Sequence, residues 1–108
     1  NQPDLDVNKR DSAGRSALHH ACRAGNLEMV RNIIKLPGVD LNSRTRGGET
    51  PLMHAAQSGN IYVVGECLNS RFNPFFKNSL GQTVLDFASK FKNVYGQNLK
   101  QTIEQAIA

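Results

Sequence analysis

Cysteine is scarce in this chain, with only Cys22 and Cys67 among 108 residues. Two are too few for the disulfide framework that holds small secreted domains together. No Asn-x-Ser/Thr acceptor for N-glycosylation occurs. Both absences fit a reducing, intracellular compartment. No apolar run reaches the roughly 20 residues that a membrane-spanning helix needs. The opening NQPDLDVNKRD is polar where a secretory leader would be apolar. Proline (4) and glycine (9) are few, and with 39% apolar and 20% charged residues the chain reads as globular, not disordered. Its length suits one modest domain and falls short of two independent cores. Asn, not Met, stands first, so a piece of a longer protein is the expectation.

Chemistry is sparse as well. No glycine-rich phosphate loop follows a strand, because GRSALHH and GGETPL read as turns that open helices. His19 and Cys22 stand three apart beside His20, but tetrahedral zinc usually takes four well-spaced ligands. Cys22 occupies a small, core-facing position, and no third residue would orient His19 as its base. Asp86 and Glu49 lack a carboxylate partner at catalytic spacing. The segment is expected to be no enzyme and to carry no cofactor or metal.

What the chain does have is repetition. A shift of 34 residues lays Gly14, Leu18, His20, Ala21, Gly25 and Asn26 on Gly48, Leu52, His54, Ala55, Gly59 and Asn60. A further shift of 33 lays Gly48, Thr50, Leu52, Ala55 and Asn60 on Gly81, Thr83, Leu85, Ala88 and Asn93. Periods of this size mark stacked supersecondary units. Each unit places a hydroxyl residue (Ser16, Thr50, Thr83) just after a turn glycine, where its oxygen can cap a helix N-terminus. Pro51 follows at the first helical position, where its missing N–H is harmless. Leu52, Ala55 and Ala56 then share one helical face, and Gly25 and Gly59 end the first helices. Second helices carry Leu27, Val30, Ile33 and Ile34 in unit one, and Ile61, Val64, Cys67 and Leu68 in unit two. Neither helix pair can bury its apolar stripe alone, so the units must stack.

These residues resemble the ankyrin repeat, whose pattern runs approximately D-x-x-G-x-T-P-L-H-x-A-A-x-x-G, then an apolar helix and a G-A-D-V-N tail. Asp11, Gly14, Leu18, His19, Ala21, Gly25, Val30 and the tail PGVDLN carry the likeness in unit one. Gly48, Thr50, Pro51, Leu52, Ala55, Ala56, Gly59 and Val64 carry it in unit two. The resemblance implies an all-α solenoid of stacked helix-turn-helix units joined by short hairpin-like loops. Residues 1–10 would be the tail of a preceding repeat, 11–43 repeat 1, 44–77 repeat 2 and 78–108 a C-terminal capping repeat. Unit one departs by one extra residue in LPGVDLN, and unit two by Met53 in place of the family's histidine. In unit three the inter-helix glycine comes four residues late, at Gly96. Its first helix is therefore predicted to run to about Tyr95, with Leu99, Ile103 and Ile107 on a closing helix.

Ankyrin repeats usually meet partner proteins on the concave face, through loop tips and first helices. The resemblance carries that role to Lys9, Arg10, Asp11, Arg15 and Arg23; to Arg44, Thr45, Arg46, Glu49, Gln57 and Ser58; and to Lys77, Ser79, Gln82, Lys90 and Phe91. Eight of the chain's 13 basic residues fall there against two of its 9 acidic ones, so the surface is basic and the remainder net acidic. An acidic or phosphorylated protein segment is the expected partner, since arginine forks match carboxylate and phosphate geometry. Nucleic acid binding by the same basic strip is the alternative, as is a regulatory or targeting role within a larger enzyme. In FNPFF (72–76), Phe72 is expected under the loop, while Phe75 and Phe76 either fold back or anchor a partner, so Phe76 joins the candidate site. The resemblance further implies Asn42 as a candidate for asparagine hydroxylation.

Overall fold

The computed structural model describes residues 7–70, 72–88, 101 and 103–105. Among them are five α-helices and no strand: α1 (Ala17–Ala24), α2 (Leu27–Ile34), α3 (Pro51–Ser58), α4 (Ile61–Leu68) and α5 (Val84–Ala88). Gln101 and Ile103–Gln105 are also helical, and Ile103 is completely buried. The predicted extension to Tyr95, and Leu99 and Ile107, lie outside the described residues.

The local chemistry of the first four helix starts repeats. Ser16 accepts from the His19 amide and Thr50 from the Met53 amide. Asn26 and Asn60 cap the second helices the same way, Asn26 through Met29 and Asn60 through Tyr62 and Val63. Asp86, which the spacing left without a role, accepts from the Thr83 amide at 2.8 Å, the reciprocal half of a capping box.

Packing then orders the helices. α3 lies between α1 and α5, touching both, while α2 and α4 pair behind them. A helix covered on both sides can be apolar all round, and every residue from Pro51 to Ala56 is buried. Leu18, Ala21 and Cys22 of α1, Val30 and Ile33 of α2, and Val63, Val64 and Cys67 of α4 complete one continuous core with Phe72, Val84 and Ala88. The Cys22 and Cys67 sulfurs stand 3.9 Å apart at zero exposure, linking α1 to α4. The hydrogen bond from Cys22 and burial both push the Cys67 thiol far above its ordinary range.

Each unit opens with one turn, built three times. Asp11, Thr45 and Asn78 each donate their amide to the carbonyl four residues on, at 2.9 Å. The carbonyls of Asp11, Thr45 and Asn78 in turn accept from the amides of Gly14, Gly48 and Gly81. The same three side chains accept amides across the turn: Asp11 from Ala13 and Arg15, Thr45 from Glu49, Asn78 from Leu80 and Gln82. Neighbouring turns then join edge to edge, the Arg46 amide donating to Ala13 at 3.2 Å and the Ser79 amide to Gly47 at 2.8 Å. Gly14 and Gly48 sit at that junction with φ of 82° and 79°. A Cβ on Gly14 would lie 2.9 Å from the Arg46 nitrogen, and one on Gly48 would lie 3.1 Å from that of Ser79. Gly81 has a similar φ of 76° and nothing within 4 Å.

Two outcomes are expected. Gly81→Ala should lower the unfolding free energy by about 1–2 kcal/mol, the left-handed penalty alone, and Gly14→Ala by clearly more in urea denaturation. Equal losses would show that the turn junction is not a tight contact. Cys22 and Cys67 should resist iodoacetamide in the native chain and react together once urea unfolds it; rapid native alkylation would contradict their burial.

Candidate partner-binding surface

The turns and first helices position the side chains that the sequence singles out, and the structure divides them into two sets. One set is engaged within the molecule. Arg10 donates to the Arg44 carbonyl at 3.2 Å, and Arg44, one unit later, donates to the Lys77 carbonyl at 2.7 Å. Arg44 also lies over the Phe76 ring, 5.2 Å from its centroid, so half-buried Phe76 serves as a platform inside the stack. Arg23 donates to Gln57 at 3.0 Å across the first helices. These guanidinium groups clasp one unit to the next.

The second set is unengaged. Arg46 and Lys77 are exposed, Arg15 is half-buried, and their side chains make no hydrogen bond or ion pair with the described residues. Lys9 is exposed on the same run of turns. Asp11, one of the two acidic members of this region, is held by the Arg15 amide and by His20, whose Nε2 stands 2.9 Å from Oδ2, and both lower its pKa. Thr45, Ser58 and Gln82 are spent on local bonds to Glu49, Ala55 and Asn78. Lys90 and Phe91 lie outside the described residues.

Beneath this surface sits a histidine pair. The Ser16 amide donates to His19 Nδ1 at 3.1 Å, so Nε2 carries the proton that it donates to the Glu49 carbonyl at 2.9 Å. That bond ties the first helix of unit one to the turn of unit two. His54 meets His19 edge to face, with ring centroids 5.2 Å apart and planes at 87°. His20 is exposed whereas His54, its translated counterpart, has zero exposure, because α3 is covered by α1 and α1 has no such neighbour among the described residues. His54 Nε2 comes within 3.2 Å of Glu49 Oε1, yet the ring is not aimed for a hydrogen bond and both its nitrogens stay unpaired. Burial outweighs that carboxylate. Desolvation first, then the charges of His19, Arg23, Arg15 and His20, lowers the His54 pKa to about 4. His19 shifts down for the same leading reason.

Asn42 is half-buried and its Oδ1 accepts from the Asn73 amide at 2.7 Å. Asn8, one unit earlier, does the same for the Asp40 amide at 2.7 Å. The equivalent place in unit three belongs to Phe75, which is 67% exposed. Two exposed side chains escape a reading based on the repeat pattern, Tyr62 at 74% and Leu80 at 80%. Leu80 had a signal in the sequence: it occupies a turn position where the earlier units place Ala13 and Gly47. Among the described residues no three His, Cys, Asp or Glu side chains gather as a metal site would require. None of the helices there is long and apolar enough to cross a membrane.

A family model for ankyrin repeats (three copies) matches residues 2–65, more than half of the chain. No curated protein matches it.

The histidine pair makes stability depend on pH. The folded pKa of His54 lies below the ordinary 6.5, so its contribution is intact above pH 6.5 and is lost as pH falls toward 4. A shift of this size corresponds to about 3 kcal/mol. Urea midpoints should therefore drop between neutral pH and pH 4, and His54→Gln should flatten that slope by about one proton. An unchanged slope in His54→Gln would remove His54 as its source.

Proposed function

The chain belongs to the ankyrin-repeat family, and from that premise we propose that it holds an acidic or phosphorylated segment of another protein, as a non-enzymatic scaffold. Ankyrin repeats are protein–protein interaction modules. The finer assignment rests on one observation: among the described residues the side chains of Arg46, Lys77, Arg15 and Lys9 make no hydrogen bond or ion pair, while neighbouring arginines are used as clasps. Turns locked by their own hydrogen bonds fix the backbone that carries those cations, so binding orders side chains and not the loop. The net charge of +4 adds long-range steering toward an anionic partner. In this reading residues 11–43 and 44–77 are two full repeats, 78–108 caps the stack, and the module works inside the cell.

Charge reversal tests the proposal without touching the clasps. An aspartate- and phosphoserine-rich peptide should bind the chain with an affinity that falls as salt is added. Arg15→Glu with Arg46→Glu should weaken it about tenfold or more, equivalent to about 1.4 kcal/mol, with helical circular dichroism unchanged. Arg44→Glu is unsuitable, because it also removes a bond between units. Salt-independent binding, or full binding by the double variant, would refute the electrostatic grip. Tighter binding of duplex DNA, with a steep inverse salt dependence, would replace a protein partner by nucleic acid.

A further inference from the structure

The third turn breaks the pattern of the first two in a particular way. Ala13 and Gly47 stand at equivalent places of the first two turns, and the third unit puts Leu80 there. Among the described residues Leu80, at 80%, is the most exposed large apolar side chain. Its backbone is fixed, the Leu80 amide donating to Asn78 Oδ1 at 3.0 Å and the Gly81 amide to the Asn78 carbonyl at 3.0 Å. The adjoining Ser79 amide is bonded to Gly47, so Leu80 sits on the turn joined to the one that bears Arg46. A second departure lies five residues earlier. Asn8 and Asn42 each accept an amide from the following unit, and the place equivalent to theirs in unit three is Phe75, 67% exposed. Lys77 falls between the two in sequence, exposed and unengaged.

A single exposed leucine needs no explanation on a protein surface. Here two bulky apolar residues replace small or polar ones at register positions of a repeating loop, with Lys77 between them in sequence and Arg46 on the turn joined to theirs. We infer that this loop reads a partner segment in which a bulky aliphatic or aromatic residue adjoins an acidic group. Arg46 and Lys77 meet the charge, and Leu80 and Phe75 meet the apolar side chain. Charge complementarity selects the partner class, and apolar contact at fixed backbone positions supplies the discrimination that charge alone lacks. The inference rests on the reading of the basic turns as the binding surface and deepens it. A polyanion without side-chain bulk, such as a run of aspartate or a nucleic acid backbone, would leave Leu80 and Phe75 in water.

Selection of random displayed peptides on the 108-residue chain tests it, with winners resynthesised and titrated by fluorescence anisotropy. Winners should pair Asp or Glu with an adjacent Leu, Ile, Met or Phe. Leu80→Ser and Phe75→Ser together should weaken such a peptide roughly tenfold or more and leave a purely acidic peptide unaffected. Arg46→Glu with Lys77→Glu should weaken both. All four positions are exposed, and unchanged urea midpoints would show the fold intact. Acidic winners with no apolar requirement, or insensitivity to the serine pair, would overturn this inference and leave the acidic-partner reading standing. Winners without acidic residues, or no winners, would overturn both.

Discussion

Everything in this molecule depends on how closely the turn of one unit approaches the turn of the next. At Gly14 and Gly48 the neighbouring backbone lies only 2.9 and 3.1 Å from where a Cβ would stand. That closeness brings the Arg46 and Ser79 amides within bonding distance of Ala13 and Gly47. Once the turns are in register, the other ties fall into place along the stack. His19 reaches the Glu49 carbonyl, Asn60 reaches the Gly25 carbonyl, and Asn8 and Asn42 reach the amides of Asp40 and Asn73. All of these bonds join residues 30 to 35 positions apart. They are the means by which helix pairs too small to stand alone share one core.

The same register divides the arginines between two tasks. Arg10 and Arg44 occupy equivalent places, and each holds the carbonyl of the next member of its row. That row ends in Lys77, which has no further basic residue to hold among the described ones. A planar guanidinium can donate in several directions at once, as Arg44 does to Gly48 and Lys77 while covering Phe76. Lysine at the end of the row keeps its charge without that geometry. Arg46, two residues from Arg44, engages its neighbour through its backbone amide, and its side chain makes no hydrogen bond or ion pair among the described residues.

The interior is built to stay neutral. His19 spends both ring nitrogens on the stack, and His54 is held uncharged by burial despite a carboxylate nearby. The two thiols, fully enclosed, lack the electropositive, partly open setting that activates cysteine. His19 and the two cysteines pack in the core and tie one unit to the next.

The helices of units one and two, the Ser16 and Thr50 caps, the turn glycines and the repeat period could be read from the order of residues, because each follows from contacts within a few positions. The basic character of the turns could be read as well, since charge is a property of composition. Which cations are free could not. Arg10, Arg23, Arg44, Arg15 and Arg46 look alike in the sequence, and only the stacking shows that the first three meet an acceptor 33 or 34 residues away. Nor could the burial of His54 against the exposure of His20 be told from equivalent positions, because a helix in the middle of a stack has two covering neighbours. Local order follows from short-range chemistry, whereas the availability of a side chain depends on what a distant part of the chain places beside it.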